Sequence, residues 1–330
     1  MQNGHYMTGD GNHHRMVEVD MMGNTIHNWD MLERGYTMHH AISQDKQGNI
    51  LATVSKTSAK IANGKDVRIN DFIIRMDPEK GEILQEWDLV HMLDSARYGM
   101  TDYNLTADPY AQNASNWAHN NGIVEWGNDY LATARYQGIF KFNKAGGIKW
   151  IISPHGYWRD RYLKLLLNPL HADGTPITDP DVIAGTKNCD DFEWPWGCHT
   201  AVPLPNGHIF YFNNGYGRNF KLDFTDRKNV YTCGIEYEVD EVNRTVRQVW
   251  QYGKERGTAY FTPARSGVQY LEQTGNRLIC PGMSNVLSNG NRGARVTEVD
   301  PETQEIVFEL ELEDAIYQRV YRMSLYPDNQ

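Results

Sequence analysis

The sequence predicts an all-β protein whose strands form a β-propeller, with the ring closed by the C-terminal strand. Three observations predict this fold: one phrase of strands and turns recurs along the chain, its strands alternate apolar and polar residues, and helical patterns are scarce. Each copy contains a Gly-Asn or Asn-Gly turn, a short apolar strand, a strand ending in Asp or Asn, another turn and a strand with an aromatic tip. Four strands per unit with turn residues at each break are typical of propeller blades.

Five copies of the phrase follow one another. They read NGHYM…MVEVDMMGNTIHNW from residue 3, GNILATV…FIIRMDPEKGEILQEW from 48, GNDYLATA…GIFKFNKAGGIKW from 127, NGHIFYF…GIEYEVDEVNRTVRQVW from 206, and GNRLICP…ARVTEVDPETQEIVFEL from 275. The first copy lacks the strand that precedes the turn in the others, and the closing segment 319–329 is a strand with no turn after it. We therefore expect the last strand to complete the first blade, which would remove sheet edges that promote aggregation.

The helix-like segments are few. VHMLDSARYGM and YLKLLLNPL are each predicted to form a short helix, and they fall in or beside the long insertions at 92–116 and 156–197. Neither segment recurs with the repeat, so neither is expected to carry the fold.

Composition and charge limit the function classes. The chain has 330 residues, 40% of them hydrophobic, which fits a single propeller domain over 1–330. No apolar run approaches the roughly 20 residues that span a membrane, and the first residues form no secretory signal, so we expect no membrane partner. A net charge of −10 with interspersed signs argues against nucleic acid, because phosphate binding needs a basic face.

Four cysteines are too few for a disulfide framework, and no two of them have Cys-x-x-Cys spacing. Cys189 and Cys198 close a short loop. In an oxidising compartment a bridge between them would contribute roughly 2 to 3 kcal/mol, and two free thiols are the alternative, so the residues alone leave this pair open. Cys233 and Cys280 lie in strand-like runs and are expected to be buried.

Three histidines occupy one equivalent position in three repeats. His40, His119 and His199 each lie eight residues before the glycine of a turn, whereas the next repeat has Gly267 at that offset. If the strand before each turn is the innermost of its blade, the three imidazoles point to the central axis at one end of the ring. His39 should face the other way, because side chains alternate along a strand.

Arg135 lies eight residues after its turn glycine, on the strand next to the one that begins near His119, and it could direct a guanidinium to the same opening as an anion clamp. Two chemistries use such a set. Three histidines can bind Zn²⁺ and leave one position open. Alternatively, one neutral imidazole attacks an anionic group while the other side chains stabilise charge. The second chemistry uses Arg135 better, because a guanidinium would repel a divalent cation.

Several segments together resemble a known family. They are NWAHNNGIVEW, LATARYQGIFKF, GGIKWIISP, CHTAVPLPNG, VRQVWQYGKERGTAYFTP and YRMSLYP, and they span nearly the whole chain in order. On these segments the sequence resembles the bacterial arylsulfate sulfotransferases, which are independent of PAPS. The resemblance implies a six-bladed propeller, no cofactor, a phenolic sulfate donor and a phenolic acceptor. A homodimer is left open. It also implies a periplasmic or secreted location and a family N-terminal β-domain that is absent from this chain.

The resemblance also implies roles for the site residues. His199 is the nucleophile that becomes transiently sulfated in a ping-pong transfer, and His119, Arg135 and His40 are its partners. Cys189 and Cys198 match a cysteine pair that is joined as a disulfide in the family. The remaining expectations concern substrate binding, by Tyr36, Trp117, Tyr136 and Trp196 as an aromatic lining and by Arg265 and Ser266 where the family tends to place a small hydroxyl residue. The alternatives to a sulfotransferase are a zinc-dependent propeller hydrolase or lyase that uses the same three histidines, and a binding module.

Overall fold

The computed structural model describes residues 1, 3–10, 14–56, 61–63, 66–68, 71–97, 117–284, 292–314 and 316–317. Over these residues β-strands are the main secondary structure, with five small sheets arranged in a ring as in a β-propeller. The predicted all-β class and the β-propeller are confirmed, although the resemblance implies six blades and the described residues form five blade sheets. Each sheet corresponds to one of the five repeats. The expected closing strand at 319–329 lies outside the described residues.

The first two sheets differ in strand number. The first sheet contains β1 (Tyr6–Asp10), β2 (Arg15–Val19) and β3 (Thr25–Asp30). The second contains β4 (Tyr36–Gln44) and β5 (Ile50–Lys56), a separate hairpin of β6 (Ile61–Asn63) and β7 (Asp66–Arg68), and then β8 (Asp71–Met76) and β9 (Ile83–Asp88), in the order β4-β5-β8-β9. Since β1 follows a turn as β5 does, the first sheet has the three strands that its shortened repeat predicts.

The other three sheets carry the remaining strands. The third holds β10 (Asn120–Trp126), β11 (Asp129–Ala134), β12 (Gly138–Asn143) and β13 (Ile148–Ile152). The fourth holds β14 (Asn168–Leu170), β15 (His199–Pro203), β16 (Ile209–Asn213), β17 (Cys233–Asp240) and β18 (Thr245–Tyr252). The fifth holds β19 (Gly267–Tyr270), β20 (Arg277–Cys280), β21 (Ala294–Val299) and β22 (Ile306–Leu312).

In the described part of the chain the helices are short and lie between strands. They are α1 (Leu89–Met92), α2 (Asp160–Leu163), α3 (Pro180–Ala184) and the 3-10 turns Arg218–Phe220, Arg227–Asn229 and Lys254–Ala259. The segment YLKLLLNPL is helical only at its start, because its last three residues form β14, which pairs parallel to β18 at the outer edge of the fourth sheet. No helix among the described residues has the length and apolarity needed to cross a membrane.

Neighbouring sheets pack through their inner strands and through shared cores. Strand β10 contacts β4 on one side and β15 on the other, and β15 also contacts β19. The largest core lies between the third and fourth sheets and includes Trp150, Tyr211 and Tyr237, all of which are almost fully buried. The inner strands therefore begin next to one another, at one end of the ring.

The first and fourth repeats share a structural turn that begins Asn-Gly-His. In each turn the Asn side chain accepts the backbone N–H of the His at 3.0 Å, and the imidazole Nδ1 lies 2.6 Å from a buried glutamate on the second strand after the turn. These pairs are His5 with Glu18 and His208 with Glu236. His208 is thus a structural residue that fixes a turn.

Candidate active site

Three imidazoles from three sheets meet where the inner strands begin. His40 lies in β4, His119 directly precedes β10 and His199 opens β15. The ring centroids of His40 and His119 are 4.6 Å apart, and those of His40 and His199 are 6.1 Å apart. The Nε2 atoms of His40 and His119 are 3.1 Å apart. The structure therefore brings together the three side chains that the turn spacing singles out.

Bulges at the start of the inner strands direct these side chains. The register shifts between Met38 and Ile42 in β4, between Asn120 and Gly122 in β10, and between His199 and Ala201 in β15. At or beside these bulges His40, His119 and Thr200 have positive φ angles of 50°, 54° and 44°. Bulges re-aim side chains, and non-glycine residues at positive φ cost about 1 to 3 kcal/mol and cluster at functional sites.

The imidazole of His199 is held in one orientation. Its Nδ1 lies 2.6 Å from Oδ1 of Asn214 and 3.2 Å from the carbonyl oxygen of Gly197. The amide of Asn214 is itself fixed, because its Nδ2 donates to the carbonyl oxygens of Thr262 at 2.9 Å and Arg265 at 3.3 Å. Both neighbours of Nδ1 are acceptors, so Nδ1 carries the proton and the lone pair of the neutral ring is on Nε2.

The environment keeps the imidazoles neutral. Desolvation, together with the positive charge of Arg135, lowers the pKa of His199 to about 3. The pKa of His119 is well below its usual range because of desolvation and the charges of His40 and Arg135. Desolvation, together with the charges of His39, His199 and Arg135, also places the pKa of His40 well below its usual range, although His40 is the most exposed of the three histidines. A lone pair is therefore available on His199 throughout the neutral pH range.

Arg135 follows β11 and lies beside the histidines. Its backbone N–H donates to the carbonyl oxygen of His119 at 3.0 Å, which confirms that the two strands are adjacent. The guanidinium Nη2 donates to the carbonyl oxygen of Pro263 at 2.7 Å, and its carbon lies 4.6 Å above the ring of Tyr216 and 5.7 Å from that of Tyr136. The side chain is 2% exposed, so a buried positive charge is fixed next to three neutral imidazoles.

His39 takes part in the cluster, contrary to the expectation that it faces away. Its Nδ1 is 3.2 Å from Nδ1 of His40, and its Nε2 is 3.5 Å from a carboxylate oxygen of Asp71. The bulge in β4 breaks the alternation on which the expectation rested. Asp71 also accepts the backbone N–H of Asn120 at 2.9 Å, and desolvation raises its pKa. A chain of contacts thus runs from Asp71 through His39 and His40 to His119.

The four aromatic residues expected to bind substrate fall in two places. Tyr136 contacts His119 edge to face, with ring centroids 5.9 Å apart. Tyr136 and Trp196 both line a small cavity that Arg135 also borders. Tyr36 lies in the core between the first and second sheets, where its hydroxyl donates to Glu86. Trp117 is fully buried in the core of the second and third sheets. The chain has 19 Tyr and 9 Trp residues, most of which pack in cores, so residue type alone does not distinguish Tyr36 and Trp117 from residues that line a site.

Arg265 and Ser266 lie at the edge of the cluster, just before β19. Both have positive φ angles, of 67° and 93°. The charge of Arg265 contributes to lowering the pKa of His40, and its carbonyl oxygen accepts from Asn214. The hydroxyl of Ser266 is buried and accepts the backbone N–H of Gly282 at 2.9 Å, so this side chain supports the loop.

Further site residues come from segments that the sequence did not single out. Tyr216 and Phe220 line the same cavity as Arg135, and so does Arg97. The Arg97 guanidinium donates to the carbonyl oxygen of Tyr136 at 2.6 Å and to that of Gly156 at 3.2 Å. Desolvation lowers the pKa of Arg97 to about 9. These residues do not occupy equivalent positions in the repeats, so the sequence pattern does not point to them. They come together only in the folded protein, where they line the same cavity.

The cysteines are free thiols, so the disulfide expected between Cys189 and Cys198 is not formed in the structure. Cys198 is fully buried beside His199 in the core, and desolvation raises the pKa of its thiol to about 12. The thiol of Cys189 instead donates to Asp191 at 3.1 Å. Cys233 and Cys280 are buried, as expected.

Comparisons with known proteins place the chain in a family. The family model for arylsulfotransferases (ASST) matches residues 1–322. Two curated relatives named arylsulfate sulfotransferase AssT, from Escherichia coli O6:H1 (strain CFT073) and from Lelliottia amnigena, are each 29% identical to this chain. Each alignment covers 95% of this chain and 57% of the relative, so the chain spans just over half the length of these relatives.

Solved structures are more distant. A putative 6-phosphogluconolactonase from Bacteroides uniformis ATCC 8492 is 11% identical with a TM-score of 0.39, over 94% of this chain and 81% of that chain. A europium-containing methanol dehydrogenase is 10% identical with a TM-score of 0.44, over 96% of this chain and 68% of that chain. Similarity at these TM-scores carries no argument about function. The family match, by contrast, covers nearly the whole chain, and the chain belongs to the arylsulfotransferase family.

Proposed function

We propose that this chain is the catalytic propeller of an arylsulfate sulfotransferase, which moves a sulfuryl group from a phenolic sulfate ester to an acceptor phenol through a sulfated His199. The observation that carries the proposal is the cluster itself: three adjacent imidazoles, one with its tautomer fixed, in the field of a buried guanidinium. Family membership supports the substrate class, since the curated relatives are named arylsulfate sulfotransferases.

In the first half of the reaction, Nε2 of His199 attacks the sulfur of the donor in line with the aryl oxygen. The N–S bond forms as the S–O bond to the aryl group breaks, and the phenolate leaves. The proton on Nδ1 stays in place, so the sulfated ring carries positive charge that Oδ1 of Asn214 and the carbonyl oxygen of Gly197 stabilise. An oriented neutral imidazole beside its hydrogen-bond acceptor is the arrangement that nucleophilic catalysis requires.

Arg135 and the other histidines stabilise the charges that develop around the sulfuryl group. The Arg135 guanidinium neutralises charge on the sulfuryl oxygens, and fixed charge should supply much of the rate if sulfuryl transfer has a loose transition state like that of phosphoryl transfer. The neutral ring of His119 donates a hydrogen bond to the departing aryl oxygen, which leaves as phenolate and takes a proton from solvent. In the second half the acceptor phenol gives its proton to the lone pair of a ring nitrogen, and the contacts of 3.1 and 3.2 Å that join His119, His40 and His39 lead this proton to solvent. The phenolate oxygen of the acceptor then takes the sulfuryl group from His199.

The small cavity beside Arg135 is lined largely by aromatic side chains. Its lining includes Tyr136, Trp196, Tyr216 and Phe220, all largely buried. We place the aryl group of the donor against these rings, where offset and edge-on ring contacts are favourable. The charge of Arg265 at the edge of the cluster would influence the choice of acceptor.

The positive charge beside the three histidines fits a zinc-dependent hydrolase or lyase less well than a sulfotransferase. A divalent cation bound between them would lie close to Arg135, whose charge already lowers the pKa of all three imidazoles. The same field that favours an incoming sulfate ester opposes a cation. The sulfotransferase is therefore the function that the geometry supports best.

The experiment is a transfer assay with 4-nitrophenyl sulfate as donor and phenol as acceptor. We expect nitrophenolate release that accelerates when phenol is added, with parallel lines in double-reciprocal plots, as a ping-pong mechanism requires. His199→Ala should abolish release. The matched control is His91→Ala, which removes an imidazole that is 82% exposed on α1. Release that is unchanged by His199→Ala would reject the assignment.

A further inference from the structure

A second cluster of metal-ligating side chains lies in the insertion that leads to His199. It contains His171, Cys189 and Asp191, and each residue offers one ligand atom within 4.8 Å of the other two. Nδ1 of His171 is 3.0 and 3.2 Å from the two carboxylate oxygens of Asp191, and Sγ of Cys189 is 3.1 Å from one of them. Among the described residues this is the one such group, and it is separate from the histidine cluster.

We propose that His171, Cys189 and Asp191 form a binding site for a thiophilic divalent cation, with Zn²⁺ as the best match. The donor set of one imidazole nitrogen, one thiolate sulfur and one carboxylate oxygen is typical of zinc. Zinc bonds of about 2.0 to 2.3 Å in a tetrahedron separate ligand atoms by roughly 3.3 to 3.7 Å. The separations of the Asp191 oxygens from the other two ligand atoms, 3.0 to 3.2 Å, are a few tenths of an ångström shorter than this. The ligand atoms of His171 and Cys189 lie within 4.8 Å of each other, so an ion would draw the three side chains into a tetrahedral arrangement by small movements.

The site is held together before any ion arrives. The carboxylate of Asp191 also accepts the backbone N–H of Ala172 at 2.9 Å, which fixes the peptide after His171. Such outer contacts orient metal ligands. The side chains of His171 and Asp191 are 40% and 37% exposed, so an ion can enter from solvent and keep a water as fourth ligand. Cys189 is half-buried and is not in a disulfide.

Binding proceeds by exchange of a proton for the metal. The thiol of Cys189 now donates to Asp191; on binding, the S–H bond breaks, sulfur bonds to the cation and the proton passes to solvent. A bound ion would link two segments of the insertion: the one that follows β14 and the one at 189–198 that leads into β15 at His199. It would therefore limit the movement of the chain next to the histidine cluster.

The test is direct metal binding, which does not depend on sulfuryl transfer. The chelator-treated full chain is titrated with Zn²⁺ and with Co²⁺, and the stoichiometry, the release of protons and the thiolate-to-cobalt charge-transfer absorption are recorded. We expect one equivalent bound, protons released, and a higher Tm with zinc. Cys189→Ser should abolish the charge-transfer band, and His171→Ala and Asp191→Asn should each weaken binding at least tenfold.

The matched control is Asp223→Asn. It removes an exposed carboxylate that accepts from the backbone N–H and the hydroxyl of Thr225 and is outside the cluster, so binding should be unchanged. Absence of binding in the unsubstituted chain overturns the proposal. Binding that survives all three cluster substitutions overturns it as well, because the ion would then occupy another place.

Discussion

At the scale of the residue, the orientation of His199 depends on one amide. Oδ1 of Asn214 holds Nδ1 of His199, and Nδ2 of the same amide is anchored on Thr262 and Arg265. A free imidazole would divide its proton between two nitrogens, whereas this contact assigns it to Nδ1 and leaves the lone pair on Nε2, the atom that we propose as the nucleophile. Asn214 is therefore a positioning residue whose contribution should appear in the rate of transfer.

Substitution of Asn214 tests this positioning. We expect Asn214→Ala to lower kcat for 4-nitrophenyl sulfate by about a hundredfold, or ~3 kcal/mol, because Nδ1 loses its closest acceptor. The matched variant Asn214→Asp keeps an acceptor oxygen but loses the N–H donors to Thr262 and Arg265. It should restore most of kcat and shift the acid limb of the pH profile upward, since a carboxylate raises the pKa of a neighbouring imidazole. If Asn214→Asp is as impaired as Asn214→Ala, the important contacts of Asn214 are those of Nδ2 with the carbonyl oxygens of Thr262 and Arg265, and not the contact of Oδ1 with His199.

At the scale of the element, the start of β10 connects the inner strands. Asn121 occupies the bulge; its Nδ2 donates to the carbonyl oxygen of Cys198 at 2.8 Å, and its Oδ1 accepts from Thr133 Oγ1 at 2.6 Å. This connection joins β11 and β10 to the residue before His199. A Cβ on Gly122 would lie 2.3 Å from the same Thr133 hydroxyl, so this position tolerates no side chain without movement.

We expect Gly122→Ala to lower the free energy of unfolding by about 1 to 3 kcal/mol, because the new methyl group overpacks the contact with Thr133. The displaced hydroxyl should release Asn121, so kcat should fall as well. Gly147→Ala in the turn after β12 is the control: its Cβ would meet only the amide end of Asn143, at 3.0 Å. Urea unfolding and the nitrophenyl assay measure both quantities. Equal effects at the two glycines would contradict the account.

The repeat made part of the site predictable. The spacing of His40, His119 and His199 from their turns survives in three dimensions because each inner strand starts at the same end of the ring. The place of His39 could not be predicted, since the bulge that reorients it depends on packing and not on periodicity. Asn214 was missed for the same kind of reason. Its partners Thr262 and Arg265 are about 50 residues away in sequence and meet it only when the fourth and fifth sheets pack together.

At the scale of the whole molecule, the ring concentrates uncharged imidazoles at a place where protonation is unfavourable. His119 and His199 are 7% and 4% exposed, and the pKa of each is far below that of an unfolded histidine, which is about 6.5. Below pH 6.5 the unfolded chain binds these protons and the folded chain does not. The contribution of these histidines to the free energy of unfolding is therefore fully present above about pH 6.5. It declines as the pH falls toward 3, where His199 itself begins to protonate in the folded state.

Each such histidine should contribute a slope of up to ~1.4 kcal/mol per pH unit to the acid side of the stability curve. We expect urea unfolding between about pH 6.5 and pH 5 to show this decline, and we expect the decline to be shallower by about that amount in His119→Gln. The control His91→Ala removes an exposed imidazole and should leave the slope as it is. A slope that His119→Gln does not alter would mean that this imidazole titrates normally in the folded protein.

The ring also brings the fifth sheet next to the site, because β15 contacts β19. The location outside the cytoplasm, the homodimer and the single-domain boundary at 1–330 stay predictions. The loop before β19 contributes Arg265 and Ser266 to one edge of the histidine cluster. The charges of Arg265 and of the buried Arg135 both lower the pKa of His40, so the cluster lies in a positive field on a molecule whose net charge is −10.

The central claim is that His199 itself carries the sulfuryl group. The most direct measurement mixes the protein with excess 4-nitrophenyl sulfate without acceptor, stops the reaction under alkaline conditions that preserve an N–S bond, and maps the modified peptide by mass spectrometry. The account predicts a burst of one nitrophenolate per chain and one added sulfuryl group on His199, which disappears when phenol is added. A burst with the label on another residue, or turnover with phenol and no labelled intermediate, would contradict it.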